Sequence, residues 1–331
     1  MNTANLAGLL QRFFADHLLS QFGASQHTIA SYRDTFRMLL KFAAKRYRRQ
    51  ASDLQVEHLD AKFVSGFLKH LEDDRHNCAR TPNNRLSAVH AFFRYVCVNE
   101  PALACHCQRV LAVPMKRFGR GPVEFLSREE TAALLKAPNS KTWLGRRDQL
   151  MMEVAVQTGL RNSELIHLRR QDVQLGSEAH IKCLGKGRKT RCTPLRAALA
   201  ASLWNWLAHQ APDPTTPVFS TAKGDPMSSD ALQRLLRRHI KTAAKTCASL
   251  RKKKVTPHTL RHTLAMNLLQ SGVDITVIAL WLGHESIETT QTYLQADMAM
   301  KEKALAPTAQ GSTAPKRFRP NDQLLAFLET L

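Results

Sequence analysis

Pro257-His258-Thr259-Leu260-Arg261, Leu282-Gly283-His284 and Thr289-Thr290-Gln291-Thr292-Tyr293, with Thr158-Gly159-Leu160-Arg161-Asn162-Ser163-Glu164-Leu165 far upstream, decide how this chain is read. They supply two arginines, two histidines and a tyrosine. Arginine offers a planar fork that fits phosphate oxygens. Histidine handles protons near neutrality, and a phenol can act as a nucleophile. Such a set can open a phosphodiester without a metal.

Taken singly, each run has an ordinary explanation. Arg161 and Glu164 stand three apart at the start of a helix, where Glu164 can steady the guanidinium, but an exposed Arg–Glu pair contributes little. Pro257 suits a helix start, and helix N-termini favour anions; a polar first turn facing water has the same pattern. Gly283 fits a helix end, leaving His284 at a turn nine residues before Tyr293. That histidine could equally be a satisfied loop residue, and a tyrosine is by default a buried one with a hydrogen bond. Lys186 lies in the turn Gly185-Lys186-Gly187, where a lysine can reach a leaving oxygen and donate a proton. Lys189 and Arg191 are basic neighbours that could also contact phosphate.

The bulk properties narrow the partner. The chain has 331 residues, room for two domains, and 44% hydrophobic residues, enough to bury a core. Lys+Arg exceed Asp+Glu by 48 − 27 = 21, spread along the chain. That surplus points to nucleic acid. No run approaches a membrane span, and residues 1–24 lack the order of a signal peptide, so the expected location is cytoplasmic. The seven cysteines are odd in number and irregularly spaced, as expected for reduced thiols. Cys105-His106-Cys107, with no second distant pair, is poor zinc spacing; no metal or cofactor is expected.

Apolar residues at helical period organise residues 1–112 as a four- or five-helix unit. One face carries Leu6, Leu9, Leu10, Phe13, Phe14 and Leu18; a second helix begins near Ser25 or Gln26. Residues 113–122 form a Pro/Gly-rich basic linker. A capping box at Ser127 and Glu130 opens the first helix of a second domain, 123–305. That domain is expected to hold helices over 147–158, 195–210, 228–246, 256–271 and 275–282. A strand pair, His180–Leu184 and Thr190–Pro194, flanks the Gly-rich turn. Residues 306–320 read as a tether, and Leu324, Leu325, Phe327, Leu328 and Leu331 as a short amphipathic helix at the end of 306–331.

The order and spacing of these runs closely resemble the tyrosine recombinases: phage-type integrases, Xer-like recombinases and mobile-element integrases. The family's first arginine motif matches Arg161 with Glu164, its hairpin lysine Lys186, its His-x-x-Arg His258 and Arg261, its Leu-Gly-His His284, and its tyrosine Tyr293. The resemblance covers roughly residues 123–300; His27-Thr28-Ile29-Ala30-Ser31-Tyr32 resembles, more loosely, the opening of the family's core-binding domain. Leu264 stands where the family often has Phe, and Thr292-Tyr293-Leu294-Gln295 lacks the frequent Thr-His.

The resemblance implies a mainly helical fold: a helical DNA-binding domain, then a mixed α/β, mostly helical catalytic domain with a small antiparallel sheet. It implies a catalytic set of Arg161, Lys186, His258, Arg261, His284 and Tyr293, with Glu164 in support. Tyr293 would form a 3′-phosphotyrosine and free a 5′-hydroxyl that Lys186 protonates. The partners implied are double-stranded DNA at specific sites, a homotetramer on that DNA and accessory recombination proteins. The reaction would integrate, excise or transpose a mobile element without ATP. A tyrosine-type topoisomerase and a catalytically silent DNA-binding regulator are the alternatives; the filled residue set argues against the second.

Overall fold

The computed structural model describes residues 5–119, 123–185 and 190–284, together with Thr290 and Tyr293. The chain divides into two compact units, Met1–Arg120 and Gly121–Leu331. Both are mainly helical, with one small antiparallel sheet in the second, as the resemblance implies.

In the first unit α1 (Leu6–Arg12) runs into a π-helical stretch, Phe13–Gln21. The sequence reads this region as one regular helix. The structure widens it because Leu18 follows Phe13 by five positions and both are buried, a spacing that a π turn brings onto one face. Next come α2 (Gln26–Tyr47), α3 (Ala61–Asp73), α4 (Arg80–Asn99) and α5 (Ala104–Leu111). Ser25 Oγ caps α2 by accepting from Thr28 N at 3.2 Å, and Asp60 caps α3. The core is aromatic: Phe13 and Phe92 meet edge to face at 5.4 Å, and Phe36, Phe63, Phe67 and Phe93 are buried around them. On α5, Cys105 is exposed and Cys107 buried, because residues two apart on a helix point roughly opposite ways. Among the described residues no three metal-ligating side chains cluster, and no helix is long and apolar enough to cross a membrane.

The second unit contains α6 (Arg128–Lys136), α7 (Trp143–Thr158) and α8 (Asn162–Ile166), then β1 (Val173–Gln174), β2 (His180–Leu184) and β3 (Thr190–Pro194). It continues through α9 (Ala197–Ala208), α10 (Ser229–Ala243), α11 (Pro257–Gln270) and α12 (Ile275–Leu282). The sheet order is β1-β2-β3, antiparallel throughout, with Cys183 opposite Arg191. The short β1 was not expected from the sequence. The capping box is present: Ser127 N donates to Glu130 Oε2 at 2.8 Å, and Glu130 N to Ser127 Oγ at 3.1 Å. Glu130 also accepts from Lys253 and Ser249. A second buried acid, Asp148, accepts from its α7 neighbour Arg147 and ties α7 to α10 through Arg238 and His239. Burial alone would raise its carboxyl; hydrogen bonds from His239 and Arg147 hold it below the usual range.

Candidate active site

Four segments deliver the site. Helix α7 ends at Gly159, whose φ of 64° is left-handed. The left-handed conformation favours glycine, and a Cβ there would lie 2.7 Å from Leu282 Cδ2 and 2.9 Å from Leu264 Cδ2, so both leucine ends would have to shift. The turn places Arg161 immediately before α8. Helix α11 opens with Pro257 at its first turn and Thr256 as its cap, which sets His258 and Arg261 near its N-terminus. Helix α12 ends at Gly283, also left-handed, and His284 follows. Strand β3 supplies Arg191.

These segments are bound to one another by their arginines. Arg261 is buried, 1% exposed. Its Nη1 donates to Gly159 O at 2.7 Å and its Nη2 to Leu282 O at 2.5 Å. Arg161 Nη2 donates to Gly283 O at 2.5 Å and its Nη1 to Glu164 Oε1 at 3.0 Å. Two adjacent carbonyls at the end of α12 therefore orient two guanidinium groups from distant parts of the chain. Glu164 also accepts the backbone N–H of Arg161 and both terminal nitrogens of Arg191. Burial would raise the Glu164 carboxyl, but hydrogen bonds from Arg191 and Arg161 take it down to about 2. Arg261 goes the other way, to about 10, because it is desolvated and stands near Arg161 and Arg191. A crowd of buried positive charge of this kind is a place for an anion.

Tyr293 is buried, 2% exposed, in an apolar cluster with Leu264, Ala265, Met266, Leu269, Ile278 and Leu282. Burial pushes its phenol up to about 12, against the pull of Arg261. Its Oη is 2.8 Å from His262 Nδ1. His284 stacks on the Tyr293 ring at 6.4 Å, and its Nδ1 lies 2.7 Å from Thr290 Oγ1. Burial, then Arg261 and Arg161, lower the His284 imidazole to about 4, so it is neutral at pH 7.

Of the residues singled out in the sequence, Arg161, Glu164, Arg261, His284 and Tyr293 are drawn into this one contact network. His258 is exposed on the first turn of α11, its ring 4.3 Å from that of His262. Lys186 lies outside the described residues, as do Leu324–Leu331. His262 was missed, and Arg191, read as a possible phosphate contact, is bonded to Glu164. Arg191 turns inward to Glu164 instead of outward; strand alternation gave the signal, since it shares a face with buried Thr193. His262 brings a ring nitrogen within hydrogen-bond distance of the phenol; its spacing of four from His258 put both on one helix face.

The chain matches the phage integrase family model over residues 124–300 and the family's N-terminal SAM-like domain over residues 10–98. It is 51% identical to a Sinorhizobium fredii protein named as an integrase/recombinase, y4rC, over 99% of each chain. It is 33% identical to the tyrosine recombinase XerC of Rhodospirillum centenum, over 83% of this chain and 79% of that one. Its fold is similar to that of the XerH site-specific recombinase bound to its difH substrate, with a TM-score of 0.66 at 22% identity, over 86% of this chain and 80% of that one. It is also similar to the Tn1549 transposon integrase in complex with circular intermediate DNA, with a TM-score of 0.68 at 16% identity, over 91% and 99%. With both models matched in order and a relative of this identity over nearly its whole length, the chain belongs to the phage integrase family of tyrosine recombinases.

Proposed function

We propose that the protein is a site-specific DNA recombinase that cleaves and rejoins double-stranded DNA through Tyr293. Arg161 and Arg261 hold the non-bridging oxygens of the scissile phosphate and stabilise the charge that develops there. His284, held by Thr290, adds a hydrogen bond. Tyr293 attacks phosphorus, leaving a 3′-phosphotyrosine and a 5′-hydroxyl, and Lys186 protonates the departing oxygen. His258, at the α11 N-terminus, assists as acid or base for the tyrosine. Attack by another strand's 5′-hydroxyl reverses the step on a new partner. One phosphodiester replaces another, so the exchange needs no ATP.

The observation that carries this reading is the joint grip of Arg161 and Arg261 on the carbonyls of Gly283 and Leu282 beside the Tyr293 ring. It brings residues separated by more than a hundred positions to one point of positive charge. Recombination joins two duplexes, so the working form is a tetramer of this chain on DNA, assisted by accessory proteins and serving a mobile element. Residues 1–112 act as a DNA-binding domain, 113–122 as a basic linker, and 123–305 as the catalytic domain. Mixing the protein with two distinguishable duplexes bearing its site tests the exchange. Joined products from both are expected; relaxation of supercoils without partner exchange would make it a topoisomerase instead.

A further inference from the structure

The histidine that meets the phenol oxygen is not among the residues singled out from the sequence. His262 Nδ1 lies 2.8 Å from Tyr293 Oη, and the two rings meet at 66° with centroids 5.4 Å apart. The phenol oxygen is thus turned toward a ring nitrogen while its ring stays in the apolar cluster. His258 packs edge-on against the His262 ring, with ring centroids 4.3 Å apart. We propose that His262 is the proton acceptor for Tyr293 during cleavage and returns that proton during rejoining. This rests on the reading of Tyr293 as the nucleophile.

The charge states agree with the geometry. Burial, then His258 and Arg261 on its own helix, push the His262 imidazole down to about 4. From outside α11 it faces the phenol of Tyr293, with His284 beyond that ring. Neutral imidazole with its proton on Nε2 leaves Nδ1 free to accept from the phenol. The phenol is at about 12, so it stays protonated until substrate arrives. An anionic phosphate near Arg161 and Arg261 raises the imidazole, and formation of the Oη–phosphorus bond acidifies the phenol. The proton then moves to Nδ1 as the bond from phosphorus to the 5′-oxygen breaks. That oxygen takes a proton from the general acid of the reaction. In rejoining, a 5′-hydroxyl displaces the tyrosine oxygen, which recovers its proton from the His262 imidazolium.

His262→Asn separates proton transfer from positioning, because the amide oxygen can still accept from the phenol but cannot carry the proton away. Single-turnover adduct formation on a nicked DNA site is measured from pH 6 to 9 for wild type, His262→Asn and Tyr293→Phe, with DNA affinity as a parallel readout. A level wild-type profile is expected. His262→Asn should be slower by about 100-fold at pH 7 and gain about tenfold per pH unit as solvent base replaces the ring. Its DNA affinity should be unchanged. A wild-type rate in His262→Asn, or a slow rate with a level profile, would overturn the proposal. Adduct formation by Tyr293→Phe would instead remove the nucleophile reading beneath it. If the Asn variant melts early, His262→Ala with added imidazole is the second measurement: rate recovery supports the proposal and none overturns it.

Discussion

Glu164 holds Arg191 through two parallel hydrogen bonds, Nη1–Oε1 at 2.9 Å and Nη2–Oε2 at 2.7 Å, while also bonding Arg161. One carboxylate from α8 thus fixes a strand arginine and a candidate phosphate ligand together. Its side chain is only 8% exposed. Removing one partner of a buried pair costs about 3–5 kcal/mol. Glu164→Gln should therefore lower the melting temperature well beyond Asp34→Asn, whose exposed pair with Arg33 contributes about 0–1 kcal/mol. Equal effects in thermal melts would contradict this account of Glu164.

Gly159 joins the fold to the site, because its left-handed turn also aims a carbonyl at Arg261. In Gly159→Ala the new methyl would meet the ends of Leu282 and Leu264. Strain at such a backbone position costs about 1–3 kcal/mol. The variant should lose stability by that order and lose adduct formation disproportionately as Arg261 shifts. Full adduct formation at wild-type melting temperature would show that the turn does not position Arg261.

Acid should destabilise the folded catalytic unit. His262 and His284 lie at about 4 in the folded chain, against about 6.5 when unfolded. Between those values the unfolded chain binds more protons, so stability is fully present above about pH 6.5 and is lost as pH falls toward 4. Glu164, at about 2, adds a loss only below its unfolded value. Melting temperature should fall by roughly 5 °C or more from pH 7 to 4.5, and His284→Asn should flatten part of that slope. An unchanged slope in the variant would contradict the assignment.

From the apolar residues Leu324, Leu325, Phe327, Leu328 and Leu331 and the family resemblance, we propose that residues 321–331 dock on a neighbouring copy. Deleting residues 321–331 should reduce synapsis of two sites, seen by native electrophoresis, several-fold more than binding to one. Unchanged synapsis would remove that role. Binding itself should weaken steeply with salt, by about 0.9 in log–log slope for each phosphate neutralised.

Much of this fold was legible because local chemistry and tertiary structure agree. Ser127 and Glu130 announce α6, and Gly159 and Gly283 end α7 and α12 where an αL residue is needed. The β2–β3 hairpin has the expected bounds. The ends of α7 and α10 were less legible: α7 starts four residues earlier than its apolar pattern, at a Thr142 cap. The roles of Arg191, Asp148 and His262 were missed because they depend on partners far along the chain. Arg191 looks like a surface base until Glu164 is placed beneath it, and nothing local tells which of two histidines on one α11 face meets Tyr293.

The most direct test of the account is covalent capture on a nicked DNA site. Wild type and Tyr47→Phe, altered in the first unit where that hydroxyl donates to His58 O, should both form a protein–DNA adduct whose 3′-phosphate maps to Tyr293. Tyr293→Phe should form none while still binding the site. An adduct in Tyr293→Phe, or one mapped to another residue in wild type, would contradict the central claim.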